Sequence, residues 1–77
     1  MKTNFALWRS EFRAAVIQRI RALDHDGTTS MSRDNLFQIV RIPPNGGPTG
    51  TNARWVARQV FDEIVARLPD RLRDAVK

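Results

Sequence analysis

The sequence contains no cysteine and a single histidine, His25, and these two shortages exclude whole classes of protein. Without cysteine there is no disulfide framework and no thiolate metal site. One histidine between two aspartates is poor material for a metal site, and the spacing around Gly27 does not fit a calcium-binding EF-hand loop. We therefore expect no metal and no cofactor, and interpret residues 24–27 as a solvated turn that ends a helix at Gly27.

Long apolar runs are missing as well. No stretch approaches the roughly 18 consecutive apolar residues of a membrane-spanning helix, so we expect no membrane association. The N-terminus has no apolar segment followed by a small-residue cleavage site, which indicates a native cytoplasmic chain. With 77 residues, 42% of them hydrophobic, residues 1–77 are predicted to form one small domain with its own core. Such a domain has a net stability of only about 3–5 kcal/mol, which makes docking on a partner or dimerisation plausible.

Acidic residues are outnumbered, because 8 Asp and Glu stand against 13 Lys and Arg and leave a net charge of +5. A charge of this sign favours polyanions or acidic protein surfaces as partners. Residues 1–21 hold five basic residues and one acidic residue, and residues 33–58 hold four and one, whereas residues 59–77 balance at four each. The basic excess therefore belongs to the first predicted helix and to the approach to the third.

Apolar residues recur at helical spacing along most of the chain, which predicts an all-α fold of three main helices and a short C-terminal helical turn. The first helix is predicted over residues 4–23, capped by Thr3 or Asn4. Its buried face is predicted to comprise Phe5, Trp8, Phe12, Ala15, Val16, Ile20 and Leu23. A second apolar strip on the same helix comprises Leu7, Ala14 and Ile17.

The second helix is predicted over residues 33–41, with Ser32 (or Ser30) as its cap. The β-branched run at residues 36–42 could also form a buried strand, but no second strand is evident to pair with it. A short turn over residues 71–76, capped by Asp70, is predicted to follow Pro69.

The third helix is predicted over residues 52–68, with Thr49 or Thr51 as its cap. Before it, the Pro- and Gly-rich segment 42–51, which we call the hinge, ends the second helix because residues before proline avoid the helical region. The predicted buried face of the third helix comprises Ala53, Val56, Ala57, Val60, Phe61, Ile64 and Leu68.

No set of side chains suits catalysis, so the chain is predicted not to be an enzyme. Asp62 and Glu63 are adjacent, and on a helix they diverge by about 100° and cannot act as a carboxylate pair. His25 has no evident nucleophile beside it. Residues 46–51 superficially resemble a phosphate loop, but they lack its lysine and no predicted strand precedes them.

Binding of a phosphate without catalysis is a different matter. Gly47 and Gly50 can expose backbone N–H groups, and the N-terminus of the third helix carries roughly half a positive charge. Arg54 and Arg58, one turn apart, add charge-assisted donors beside it. A backbone phosphate of a nucleic acid is a suitable guest, although the glycines could equally serve a connector that only reverses the chain.

The first functional hypothesis is therefore a nucleic-acid-binding module, with DNA as the expected ligand. Arg9, Arg13, Arg33 and Arg41 would add to the positive field around the hinge, and binding would weaken steeply with salt. A helix-turn-helix variant would present residues 52–58 to the major groove, but the hinge is much longer than the turn of that motif.

The alternative hypothesis is a small adaptor or inhibitor, of the kind that phages and plasmids encode, docking on an acidic surface of a protein partner. Trp55 is predicted to point away from the buried face and to lie beside arginines, where it would be an anchor if no other helix covers it. A third hypothesis is a homodimer formed through Leu7, Ala14 and Ile17. Convergence of Arg9, Arg13, Arg41, Arg54 and Arg58 on one face favours nucleic acid, whereas scattered arginines with an exposed Trp55 favour a protein partner.

Overall fold

The computed structural model describes residues 4–25, 27, 30–43 and 46–77, without the side chains of Asp24 and His25, so the predicted role of the His25 turn lies outside the described residues. Within these ranges the chain forms no strand and four helices: α1 (Phe5–His25), α2 (Arg33–Ile39), α3 (Ala53–Ala66) and α4 (Asp70–Arg73). The all-α class is confirmed. No helix in this part of the chain combines the length and the apolar character needed to cross a membrane.

Helix α1 begins where its cap was predicted. The side-chain Oδ1 of Asn4 accepts a hydrogen bond from the Leu7 N–H at 3.0 Å, and Gly27 follows the helix with φ at 77°. Five of the seven residues predicted for its buried face are buried, whereas Ala15 is only partly buried against the core and Phe5 is 43% exposed. Phe5 is the first helical residue, and its ring lies 5.2 Å from that of Trp8 between centroids.

Helix α2 is capped by Ser32, whose Oγ accepts from the Asn35 N–H at 3.2 Å, so the segment is a helix and not a strand. It ends at Ile39, earlier than the predicted Arg41, because Val40 is already extended at φ −71° and ψ 129°. This extended backbone leads into Ile42 and Pro43, where proline disfavours helix.

The start of α3 differs from the prediction that Thr49 or Thr51 caps it. The capping residue is Asn52, and it makes no side-chain hydrogen bond to the helix. Instead, Gly50 turns the chain at φ 89°, and its carbonyl accepts from the Ala53 N–H at 3.2 Å. A backbone carbonyl, and not the predicted threonine hydroxyl, therefore accepts a hydrogen bond from the first N–H of the helix.

The core of the protein is formed by the predicted faces of α1 and α3 together with α2. Ala53 and Val56 are only half-buried, at the edge of the α3 face, whereas Val65 is fully buried although it was not predicted to be. Among the described residues, fourteen hydrophobic ones are buried: Trp8, Phe12, Val16, Ile20, Leu23, Leu36, Phe37, Val40, Ala57, Val60, Phe61, Ile64, Val65 and Leu68.

The C-terminal segment is fixed by backbone pairing as well as by α4. Pro69, and not Asp70, is the capping residue of α4, and the Asp70 carboxylate instead accepts from the Arg73 guanidinium at 2.6 Å. Beyond α4 the chain runs parallel to the segment before α2. Met31 donates to the Ala75 carbonyl, and its own carbonyl accepts from the Lys77 N–H, each at 2.9 Å.

The hinge packs on the N-terminal end of α1. The buried indole of Trp8 donates its Nε1–H to the Pro43 carbonyl at 2.7 Å. A Cβ at Gly47 would lie 2.4 Å from this same Nε1, and a Cβ at Gly46 would lie 2.7 Å from the Asn4 carbonyl oxygen. Because glycine has no Cβ, the hinge can pack closely against the N-terminal end of α1 at these two positions.

Replacing Gly47 with alanine is expected to lower the free energy of unfolding by about 1–3 kcal/mol. The added methyl group would collide with the Trp8 indole, which cannot move without losing its hydrogen bond to Pro43. Urea unfolding followed by circular dichroism measures the loss. Thr49→Ala, at an exposed position of the same segment, should stay within about 0.5 kcal/mol of the unsubstituted protein. Equal stability of the two variants would contradict this packing.

Candidate functional site

Trp55 lies in the first turn of α3 and is 66% exposed. At about 100° per residue it points away from the face that Ala57, Phe61 and Ile64 bury in the core. Neither α1 nor the C-terminal turn covers it, which resolves the alternative that the sequence left open. Tryptophan is highly buried on average and is enriched in protein-binding hot spots, so this exposed side chain is the first feature to explain.

Trp55 borders an open cleft of about 530 Å³ between α2 and the N-terminal half of α3. The sequence predicted its contributions from α3 but not those from α2, because the pairing of the two helices is a long-range feature. The lining residues are Asp34, Phe37, Gln38, Thr51, Arg54, Trp55 and Arg58.

Two guanidinium groups lie over the aromatic floor of this cleft. The Arg54 guanidinium carbon is 5.1 Å from the centroid of the Phe37 ring, and that of Arg58 is 5.3 Å from it. Contacts of this kind hold the planar cation in place and are worth about 0.5–1 kcal/mol at exposed sites. Arg54 forms no ion pair with any carboxylate of the described residues, so its charge remains open to a ligand.

Arg58 is engaged within the protein. Its guanidinium donates to Asp34 on α2 at 2.7 Å and to Asp62, one turn along α3, at 3.2 Å. The hydrogen bond to Asp34 raises the pKa of Arg58 above its ordinary value, against the opposing effect of partial burial. Arg58 therefore stays charged until strongly alkaline pH, and it joins α2 to α3. The i, i+4 spacing predicts the Asp62 pair, but nothing local predicts Asp34.

The other predicted arginines lie elsewhere. Arg9 and Arg13 line a second cleft with Arg67, between α1 and the C-terminal half of α3. Arg41 lines a third cleft with residues of α1 that include Arg19. The structure thus brings together Arg54, Trp55 and Arg58, but it distributes the full predicted set over three separate clefts.

The glycines of the predicted phosphate site have structural explanations of their own. Gly47 lies against Trp8, and Gly50 adopts the positive φ that the turn before α3 requires. The predicted dimer strip is also reduced, because Ile17 packs against the core while Leu7 and Ala14 remain exposed. Among the described residues no three His, Asp or Glu side chains are grouped as a metal ion would need.

Replacing each of the two tryptophans with alanine should lower the stability of the protein by very different amounts. Trp55→Ala is expected to stay within about 0.5 kcal/mol of the unsubstituted protein, because the ring contributes little to the core. Trp8→Ala removes a fully buried indole and its hydrogen bond, and should cost about 3–5 kcal/mol, enough to unfold most of the protein. Thermal melting monitored by circular dichroism compares the two. A Trp55 variant that melts like the Trp8 variant would place Trp55 in the core.

Arg58→Gln is expected to lower the free energy of unfolding by about 1–2 kcal/mol, because it removes two carboxylate contacts and two cation–π contacts together. The difference should shrink between about 0.1 M and about 1 M salt, where exposed charges are screened. Arg71→Gln makes the same charge change at an exposed residue outside any described ion pair. If both variants lose equal stability, the contacts of Arg58 are not the cause.

Comparison with protein-family models, with curated proteins and with solved structures finds no match to this chain. What it does is therefore inferred from its own contacts and charges.

Proposed function

We propose that this chain is a non-catalytic docking module, an adaptor or inhibitor, that binds an acidic surface of a protein partner through Trp55 and Arg54. The observation that carries the proposal is the two-thirds exposed Trp55 ring, which lines the same cleft as an Arg54 guanidinium that no described carboxylate neutralises. Tryptophan and arginine are the residues most enriched among protein-binding hot spots.

The Trp55 side chain contributes little to the stability of the folded state, because it is 66% exposed. The core face of α3 is complete without it, since Ala57, Phe61 and Ile64 are buried on the opposite side of the helix. Desolvation of a large apolar ring provides about 25 cal/mol for each Å² of apolar surface that a partner covers. The ring is therefore a source of binding free energy that folding has left unused.

Arg54 is suited to a partner carboxylate because its position is already restrained. The Phe37 ring lies 5.1 Å beneath the guanidinium, which lowers the entropy that is lost when a ligand binds. Arg58 lies over the same Phe37 ring, and its guanidinium is held by ion pairs with two aspartates. The cleft thus offers one available cation next to one exposed aromatic ring.

Arg54 also lines a smaller cleft of about 280 Å³ that reaches the hinge. The other lining residues of this cleft are all apolar: Trp8, Ile42, Pro43, Pro48, Ala53 and Ala57. A partner segment that combines an acidic residue with a large apolar residue fits this arrangement, with the carboxylate on Arg54 and the apolar side chain against Trp55 or the proline-lined surface.

Nucleic acid is a weaker fit to the Trp55 cleft. A strand that stacks a base on Trp55 needs several cations to follow its backbone. Here Arg58 is neutralised by aspartates, while Arg9 and Arg41 lie in other clefts. The scattered arginines and the exposed tryptophan both support a protein partner at this site.

Selection of a displayed random peptide library on the immobilised chain tests the proposal. The selected peptides are expected to carry Asp or Glu next to a large apolar residue. Trp55→Ala should weaken their binding at least tenfold, and Arg54→Gln by about tenfold, as calorimetry can measure. Both variants should remain folded.

Ile39→Ala is the matched control, because Ile39 is another exposed apolar residue but lies outside the Trp55 cleft. It should keep the affinity of the unsubstituted protein. Selected peptides without acidic residues, or peptides that bind the Trp55 variant equally well, would overturn the proposal.

A further inference from the structure

We infer a second, independent binding surface, in which Arg13 and Arg67 contact the phosphates of a nucleic-acid duplex. Both line one cleft of about 370 Å³ on the α1 side of α3, together with Arg9, Ala6, Ser10 and Ile64. We call it the arginine cleft. Only Arg9 and Arg13 were among the residues predicted from sequence, and they were expected to act together with the hinge.

The arginine cleft and the Trp55 cleft lie on different flanks of α3. The flank of the Trp55 cleft faces α2, as the pair between Arg58 and Asp34 shows. The other flank faces α1, where Arg9 pairs with Glu63 at 3.1 Å. Trp55 and Arg67 are also about 18 Å apart along the helix axis, at a rise of about 1.5 Å per residue.

The charge of the arginine cleft is only partly compensated within the protein. Glu63 neutralises Arg9, whereas Arg13 and Arg67 form no ion pair with the carboxylates of the described residues. Arg9 and Arg13 are i, i+4 neighbours on α1, an arrangement in which like charges repel. The excess positive charge of Arg13 and Arg67 is stabilised when an anion binds in the cleft that they line.

The composition of the lining points to phosphate. Guanidinium groups recognise phosphate oxygens by paired hydrogen bonds, and the Ser10 hydroxyl can add another donor. No aromatic side chain lines the cleft, in contrast to the Trp55 cleft. The surface therefore lacks both the anchor of a protein hot spot and the stacking platform of a single-strand binder, which favours the backbone of a duplex.

Fluorescence anisotropy with a labelled DNA duplex of about two helical turns, between about 50 and about 200 mM salt, tests the inference. Binding to the unsubstituted chain should weaken steeply with salt. Arg13→Gln and Arg67→Gln should each weaken binding several-fold and reduce the slope of log K against log salt by about 1. Circular dichroism checks that each variant folds. Arg9 is left in place because it holds Glu63.

Arg19→Gln is the matched control. It also removes one exposed charge from α1, but it lies on the opposite flank, in the cleft that Arg41 lines. It should change the slope little. If it lowers affinity as much as Arg13→Gln, binding depends on net charge alone and the arginine cleft is not a site.

Three further results would overturn the inference. The first is the absence of duplex binding at the lowest salt concentration. The second is loss of binding in Arg54→Gln but not in Arg13→Gln, which would place the phosphates at the N-terminus of α3 as the sequence first suggested. The third is tighter binding of polyglutamate than of DNA, dependent on Arg13 and Arg67, which would make the ligand an acidic protein. None of these outcomes depends on whether the Trp55 cleft binds a protein.

Discussion

The hydrogen bond from the buried Trp8 indole to the Pro43 carbonyl is the contact on which the arrangement of the other elements depends. It joins α1 to the segment that leads into α3, across 35 positions of sequence. Gly47 closes on the same indole. From Trp8 a row of aromatic rings continues through Phe12 and Phe61 to Phe37 on α2. Within the described part of the hinge, Pro43, Gly46 and Gly47 thus pack on α1, and Ile42 packs against the core.

Ion pairs then hold α3 from both sides. Arg9 on α1 pairs with Glu63, and on the other flank Arg58 pairs with Asp34 of α2. Exposed pairs of this kind contribute only about 0.2–1 kcal/mol each, so the core provides most of the stability and the pairs orient the helices. Their functional effect is larger, because they neutralise two of the arginines that the sequence had suggested for a ligand. The charge left for partners is carried by other residues, among them Arg54, Arg13 and Arg67.

The two surfaces that result differ in chemistry. The Trp55 cleft combines one exposed aromatic ring with one cation that rests on Phe37, and this combination suits an acidic protein segment with an apolar side chain. The arginine cleft places Arg13 and Arg67, which form no ion pair with the described carboxylates, among lining residues of which none is aromatic, and this suits a phosphate backbone. The two clefts lie on different flanks of α3. A chain with both activities would bring a protein and a duplex together, which is one way in which a small adaptor can act.

The sequence by itself determined the features that depend on short-range order. Helical periodicity predicted the all-α class and most of the buried faces, and the caps at Asn4 and Ser32 follow from hydrogen bonds to residues three positions away. The start of α3 was not predicted correctly, because the turn at Gly50 replaces a threonine cap. Only the tertiary structure decided that Trp55 is exposed, that Arg58 is neutralised by Asp34 and that Arg67 joins Arg9 and Arg13. These outcomes depend on which helix lies beside which, and that is set by contacts between residues far apart in the chain, above all between Trp8 and the hinge.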